Sequence, residues 1–143
     1  MLNSLKVGLT LAVISTPLLA GGHGGGDAAA GEKVFKKCIA CHVVQNDAGE
    51  LLAGRGAKTG PNLYGVAGRT PGAADFRYSK SMVAYGETGA VWGEENFAAY
   101  VQDPTGFLKE VLDDRRARGK MSFKLRKEED AKNVYAYLAQ LAK

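Results

Sequence analysis

The segment Cys38-Ile39-Ala40-Cys41-His42 decides the fold of this chain. It places two thiols three residues apart and an imidazole directly after the second thiol, which is the C-x-x-C-H pattern that attaches c-type haem. Each thiol can add to one vinyl group of the porphyrin, and His42 then faces the iron from one side. The pentapeptide therefore predicts one covalent haem c, bound through Cys38 and Cys41, with His42 as a metal ligand.

Two other interpretations of the cysteine pair fit the sequence less well. A thioredoxin-like pair belongs in a βαβ context, and this chain has no convincing β-alternation. A structural zinc site takes four protein ligands, but the chain has no further cysteine and only one other histidine, His23. Covalent haem remains the interpretation that the residues support.

Short helical patterns lie on both sides of the pentapeptide. Asp27 is a good N-cap for the first helix, and three acidic residues load the first turn of the last one. Asp103-Pro104 ends one helix and begins the next. We expect helices from Ala28 to about Lys37, from Lys80 to Tyr85 with its end at Gly86, from Glu94 to Gln102, from Pro104 through Phe107, Leu108, Val111 and Leu112, and from Glu128 to about Leu141.

The stretches between these helices look like loop. Residues 43–79 and 112–126 show no periodicity, and glycine, proline and asparagine recur in the first of them. Loops of that length are uncommon in a compact domain, but a large apolar cofactor gives them a surface to wrap. The predicted class is all-α, with short helices and long loops around one haem.

Composition limits the domain organisation and the partners. With 143 residues, 45% hydrophobic and 24% charged, the chain suits one domain. Its net charge of +4 does not by itself indicate nucleic acid. No segment has the roughly 18 consecutive apolar residues of a membrane-spanning helix, so we expect no stable membrane insertion. We also expect the protein to be a monomer.

The N-terminus reads as a targeting segment. Residues 1–20 carry one positive charge and then an apolar run that is short for a bilayer span, which is typical of a secretory signal peptide. A retained N-terminal anchor is the alternative. We expect cleavage after Ala20 or Gly22, a flexible Gly-rich tail over residues 21–26, a domain over 27–143, and a periplasmic location. His23 lies in this tail without evident partners for a metal site.

The sixth ligand of the iron has three candidates in the sequence, Met82, Met121 and His23. Met82 lies in a short helix, where a flexible core filler is the commoner role of methionine. Met121 lies in the glycine-containing segment 119–123, which can bring its thioether to the iron. A His/Met pair closes both axial positions and raises the reduction potential.

Five segments together resemble class I cytochrome c, and most closely the soluble bacterial cytochrome c2 type: 31–35, 38–42, 58–66, 68–70 and 119–123. The resemblance spans about residues 26–142 and implies the cytochrome c fold, in which the N- and C-terminal helices cross. There Gly31 and Phe35 would meet Val134, Tyr137 and Leu138. Segments 45–55 and 107–118 are longer than in the mitochondrial proteins, which leaves their loop geometry open.

The same resemblance implies a set of site residues. His42 and Met121 would ligate the iron, and the Pro61 carbonyl would accept a hydrogen bond from the His42 ring, which fixes a ligand's orientation. A buried haem propionate would bond to Arg69, Tyr78 and Trp92, and Tyr100 would lie near the Met121 sulfur.

A haem with protein ligands on both faces has no open site for substrate, so the expected function is one-electron transfer and not catalysis. The alternative is peroxidase or gas-sensing chemistry at a labile sixth position. Residues 106–127 carry eight cations and three anions, which favours steering toward acidic partners. We expect a carrier from a cytochrome bc complex to a photosynthetic reaction centre or terminal oxidase, docking through a basic face that includes Lys36, Lys37, Lys120, Lys124 and Lys127.

Overall fold

The computed structural model describes residues 25–143. The predicted signal peptide and the tail up to residue 24 lie outside the described residues. In chain order the elements are α1 (Ala28–Phe35), β1 (Val44–Gln45), β2 (Leu51–Ala53), α2 (Lys80–Glu87), α3 (Glu94–Gln102), α4 (Pro104–Val111) and α5 (Glu128–Leu141). The predicted class, mostly helical with long connections, is confirmed.

The first and last helices pack directly against each other. The Asp27 carboxylate caps α1 by accepting hydrogen bonds from the main-chain nitrogens of Ala29 and Ala30, at 2.8 and 3.1 Å. Gly31 faces the backbone of α5 so closely that a Cβ at this position would overlap the Asn133 carbonyl oxygen. One turn later the Phe35 ring packs on Tyr137, with ring centroids 5.6 Å apart. The predicted crossing of the terminal helices is therefore confirmed.

The three middle helices also follow the sequence signals, with one difference. Asp103 caps α4 through the main-chain nitrogen of Gly106, and Pro104 occupies the start of the helix. The predicted end of α2 at Tyr85 is wrong, because the helix continues through Gly86 to Glu87. A Cβ at Gly86 would overlap the Pro71 carbonyl oxygen. This glycine therefore serves close packing and does not end the helix.

A small hairpin lies in a stretch that the sequence predicted as loop. Strands β1 and β2 are antiparallel, and the turn between them is held by the Asn46 side chain, which accepts from the main-chain nitrogens of Ala48 and Glu50 at 3.1 and 2.9 Å. Gly49, with φ of 82°, supplies the left-handed turn residue. Strands of two and three residues are too short to show a periodicity of two, so this prediction was wrong.

The core is built around aromatic side chains from α2, α3, α4 and the segment before α3. The Trp92 ring contacts four others at centroid distances between 5.2 and 6.4 Å: Tyr85, Phe97, Tyr100 and Phe107. Three of these residues, Trp92, Phe97 and Tyr100, also border a cavity whose other lining residues come mainly from the long loops. Within residues 25–143, no helix combines the length and apolar character needed to span a membrane.

Candidate functional site

The cysteine segment forms one wall of this cavity because the chain turns tightly after α1. The main-chain nitrogens of Cys41 and His42 both donate to the Cys38 carbonyl, at 3.1 and 3.0 Å. This turn brings the side chains of the two cysteines and His42 to the same cavity. The spacing of the pentapeptide thus has a direct structural meaning, since three chemically distinct side chains converge on one space.

The His42 ring is fixed by the loop packed against it. Its Nδ1 lies 2.8 Å from the Pro61 carbonyl oxygen. A carbonyl only accepts, so Nδ1 donates and Nε2 is the nitrogen left free to bind a metal. Burial lowers the pKa of His42, and the Pro61 hydrogen bond opposes this in part. The ring is therefore held in the neutral form that metals require.

The environment of Cys38 argues against thiol redox chemistry. Burial raises the pKa of the Cys38 thiol to about 11, although nearby Lys37 acts in the opposite direction. Catalytic redox cysteines have lowered pKa values, because the thiolate is the nucleophile. A buried thiol that stays protonated at neutral pH suits a site that becomes a thioether.

The cavity has the lining of a site for a large apolar cofactor. The space within it and the open solvent at its mouth together occupy about 1230 Å³, and its wall combines apolar side chains with a few polar groups, as cofactor sites do. The donors present are two thiols, one imidazole and two thioethers, those of Met82 and Met121. They include every group that the attachment and axial ligation of haem c require. Besides the cysteine segment, the lining includes Pro61, Leu63, Val66, Arg69, Phe76, Tyr78, Met82, Trp92, Phe97, Tyr100, Val101, Lys120, Met121, Phe123, Leu125 and Val134.

Two of the three candidates for the sixth ligand border the cavity. Met121 lies in the loop before α5 and is partly exposed, whereas Met82 is 5% exposed within α2 and packs in the hydrophobic core. His23, the third candidate, lies outside the described residues. The loop position of Met121 leaves its thioether freer to approach a metal than the packed side chain of Met82.

The residues expected at a buried propionate also border the cavity. Arg69 donates to the carbonyl oxygens of Tyr64 and Asn62, at 2.9 and 3.1 Å. Burial lowers the pKa of Arg69, and nearby Tyr78 offsets part of this decrease. Burial raises the pKa of Tyr78, and nearby Arg69 offsets part of that increase. Trp92 is buried beside them. The structure places the three groups around one space, while their bonds to a propionate remain a prediction.

Tyr100 lines the same cavity. Its ring centroid is 5.2 Å from that of Trp92, and burial raises the pKa of its hydroxyl to about 12, with a further contribution from Tyr78. The hydroxyl therefore stays protonated at neutral pH and is available as a hydrogen-bond donor. Its predicted proximity to the Met121 sulfur stays a prediction.

Two contributors to the site were missed at the level of sequence. Gly60, which the sequence shows only as one of the glycines recurring in loop 43–79, lies against the His42 ring, and a Cβ there would be 2.5 Å from its Cε1 atom. The Lys120 ammonium donates to the Arg77 carbonyl and lies 5.8 Å from the centre of the Phe76 ring. Lys120 thereby ties the Met121 loop to the segment of Phe76, another residue of the cavity lining. The motif Gly60-Pro61 was a usable signal for the first contact, but nothing in the sequence marked the second.

The predicted basic face is partly neutralised. Lys124 forms an ion pair with Asp103 at 2.8 Å, and Lys37 lies 3.6 Å from Asp130. Lys36 and Lys127 are exposed, and no ion pair is found for either among residues 25–143. The excess of positive charge therefore survives, but not every lysine contributes to it.

A mostly helical fold around one large apolar cavity, with a Cys-x-x-Cys-His segment in its wall, defines the class of c-type cytochromes. The family model for cytochrome c matches residues 28–142. The chain is 62% identical over 117 residues to cytochrome c2 of Rhodovulum adriaticum, covering 81% of this chain and 93% of that protein. It is 49% identical over 141 residues to cytochrome c2 of Rhodobacter capsulatus, covering 97% of this chain and all of that protein.

A solved structure agrees with this result. The crystal structure of cytochrome c2 from Rhodobacter sphaeroides matches with a TM-score of 0.80 and 57% identity, over 82% of this chain and 97% of that chain. The chain belongs to the cytochrome c family and is of the cytochrome c2 type. It accordingly carries one covalent haem c and is an electron carrier to membrane redox complexes, not an enzyme.

Proposed function

We propose that the chain is a soluble periplasmic one-electron carrier, with Cys38 and Cys41 as thioether donors and His42 and Met121 as axial ligands. The observation that carries this proposal is the convergence of all four side chains on one cavity. The donor and acceptor we propose are a cytochrome bc complex and a photosynthetic reaction centre or terminal oxidase.

Each ligand side chain has a defined task. The bound haem supplies an iron that alternates between Fe(III) and Fe(II). His42 is presented as a neutral imidazole of fixed tautomer, because its Nδ1 donates to Pro61 at 2.8 Å. Met121 would bind the iron as its second protein ligand, and Lys120 holds the Met121 loop to the 76–77 segment. Side chains held in place in this way would keep the protein ligands the same in both oxidation states, which favours rapid electron transfer.

The polar residues of the cavity would hold the carboxylate end of the cofactor. Arg69 has donors beyond the two that bind main-chain carbonyls. It can therefore offset the cost of burying a propionate. The hydroxyl of Tyr78 and the indole N–H of Trp92 add neutral hydrogen-bond donors. The rings of both residues pack against apolar neighbours at the same time.

The proposed periplasmic location is inferred from the sequence of the first 20 residues. Their single positive charge and short apolar run fit a secretory signal peptide, and the small residues after Leu19 fit a peptidase site. Export would bring the chain to the periplasm, where its membrane partners expose their redox groups.

The proposed docking face surrounds the Met121 side of the cavity. Residues 106–127 hold a net charge of +5. One lysine of this segment, Lys124, is neutralised by Asp103. The partly exposed Phe123, at the cavity mouth, supplies an apolar contact within this positive rim. Charges at the rim of an interface mainly accelerate association and are screened by salt.

The ligand assignment is tested by binding of imidazole to the oxidised protein. Met121→Ala opens the sixth position, so we expect it to bind imidazole at concentrations at which the wild-type protein shows no spectral change. Met82→Leu is the matched control, because it removes a thioether from the same cavity. Imidazole binding by the Met82 variant and not by the Met121 variant would contradict the assignment.

The docking assignment is tested by the rate of oxidation by isolated membranes at several salt concentrations. Lys36→Gln and Lys127→Gln each remove one exposed charge, and we expect slower oxidation at low salt that converges with the wild-type rate at high salt. The control is Lys132→Gln, which also removes one positive charge, but from a residue outside the proposed docking face that pairs with Glu95 and Glu128. Equal effects from all three variants would refute a localised docking face.

A further inference from the structure

Asn62 directly follows Pro61, whose carbonyl holds the His42 ring, but it is not one of the residues that line the cavity. Its Oδ1 accepts from the main-chain nitrogens of Gln45 and Tyr64, at 3.0 and 3.1 Å, and its Nδ2 donates to the Gln45 carbonyl oxygen at 2.7 Å. The side-chain amide thus pairs with both main-chain polar groups of Gln45, as a neighbouring strand would.

The loop that contains Asn62 makes further hydrogen bonds to the haem-attachment segment. Two main-chain nitrogens of loop 60–64 donate to the carbonyls of Cys41 and Val43, at 2.7 and 2.9 Å. The Gln45 carbonyl, which Asn62 binds, is the next acceptor in the same row. Carbonyls of alternate residues in an extended segment face the same side, so the loop lies along this segment as one strand lies along another.

This row of hydrogen bonds fixes the direction of the Pro61 carbonyl. That carbonyl belongs to the planar peptide group that joins Pro61 to Asn62, so holding Asn62 also holds the oxygen that accepts from His42 Nδ1 at 2.8 Å. Proline has no N–H with which to form a main-chain bond of its own. The main-chain carbonyl of Asn62 accepts from Arg69 as well, at 3.1 Å, so Asn62 is held through both its side chain and its main chain.

We propose that Asn62 is a positioning residue for electron transfer, which acts through Pro61 to keep the His42 ring hydrogen-bonded. A ligating imidazole that donates well to a carbonyl is a more basic ligand, and a more basic ligand stabilises the oxidised iron. The inference rests on the proposed function, in which His42 is an axial ligand. It adds a residue outside the cavity lining to the groups that set the reduction potential.

The test compares Asn62→Ala with Asn46→Ala in the haem-loaded protein. Asn46 is the matched control, because its side chain also makes three hydrogen bonds, all of them to Ala48 and Glu50 in the hairpin. Two properties are measured: the midpoint potential, and the rate at which the His42 Nδ1 proton exchanges with solvent, followed by NMR of the reduced protein.

Asn62→Ala should raise the midpoint potential and speed exchange of the ring proton by about tenfold or more, because hydrogen bonds that oppose local opening of the loop are lost. Asn46→Ala should leave both properties at their wild-type values, even where it lowers stability. An Asn62→Ala protein whose potential does not rise, or whose ring proton exchanges no faster than in the control, would overturn the inference.

The wild-type protein supplies a measurement that does not depend on whether the variants fold. The ring proton and the main-chain amide protons of Gln45 and Leu63 should exchange through one common opening, and their exchange should therefore accelerate equally with added guanidinium. A ring proton that stays protected while these amides exchange would contradict the role of Asn62.

Failure of the ligand assignment has a different signature. A wild-type His42 ring that gains a second proton in mild acid is not bound to the iron, and this result would overturn the assignment together with the inference. A bound ring that responds equally to the two asparagine substitutions would overturn the inference alone.

Discussion

Replacing Gly60 by alanine tests how the loop holds the His42 ring. The added Cβ would lie 2.5 Å from Cε1, 2.7 Å from Nδ1 and 2.9 Å from Nε2 of the imidazole. Ordinary van der Waals contact begins at 3.4 Å, so the ring must retreat by about 0.9 Å. The φ angle of Gly60 lies outside the left-handed region, which means that alanine adds a steric conflict without backbone strain.

The cost of Gly60→Ala has two parts. Extra volume in a packed interior destabilises by about 1–3 kcal/mol. Moving the ring also weakens its 2.8 Å hydrogen bond to Pro61, and such a bond is worth about 0.5–1.5 kcal/mol. Together these parts lower the free energy of unfolding by about 1.5–4.5 kcal/mol. A ring that donates less well to Pro61 is also a less basic ligand, so the midpoint potential should rise.

The assay is guanidinium unfolding together with a redox titration of the haem-loaded protein. Gly119→Ala is the matched control, because a Cβ there meets its nearest neighbours at 3.5 Å, an ordinary contact. The control should keep both the stability and the potential of the wild type. A Gly60→Ala protein with wild-type stability and potential would refute the argument that this glycine makes room for the His42 ring.

Two further substitutions have directions set by the structure. Gly31→Ala should destabilise by about 2 kcal/mol, because overlap with the Asn133 carbonyl costs about 3 kcal/mol, the upper end for overpacking, and the gain in helix propensity offsets about 1 kcal/mol of it. Chemical unfolding measures this, and a more stable variant would contradict it. Lys124→Gln should lower stability at neutral pH only. Hydrogen bonds from Lys124 and Gly106 lower the pKa of Asp103 below its usual value of 3.8. Their contribution to stability is therefore present above pH 3.8 and is lost as the pH falls through the pKa that Asp103 has in the folded protein. Unfolding curves recorded across this range should converge for variant and wild type in acid, and a constant difference would refute the assignment.

Much of the fold was predictable because its signals are local. Asp27 and Asp103 cap helices through nitrogens two or three residues away, and the apolar spacing of the last helix marks the face that packs on α1. The hairpin was not predicted because its strands are too short to show an alternation of apolar and polar residues. Gly86 misled, since a glycine that ends a helix and one that permits close packing look the same in a sequence.

The candidate site likewise contains residues whose chemistry the sequence predicts and contacts that it does not. The residues of the pentapeptide are adjacent in sequence, so their chemistry could be predicted together. The contact from Lys120 to Arg77 joins residues 43 positions apart, and no local pattern records it. The neutralisation of Lys124 by Asp103 likewise depends on how a loop returns to a helix end. Charge counts along the sequence therefore overestimated the free positive charge near Met121.

The central claim is that His42 and Met121 are both bound to the iron of a haem held by Cys38 and Cys41. X-ray absorption at the iron edge of the purified oxidised protein tests this most directly, because it counts nitrogen and sulfur ligands. The account predicts five nitrogens and one sulfur, with the sulfur absent in Met121→Ala. Six nitrogens, a five-coordinate iron, or a sulfur that persists in Met121→Ala would contradict it.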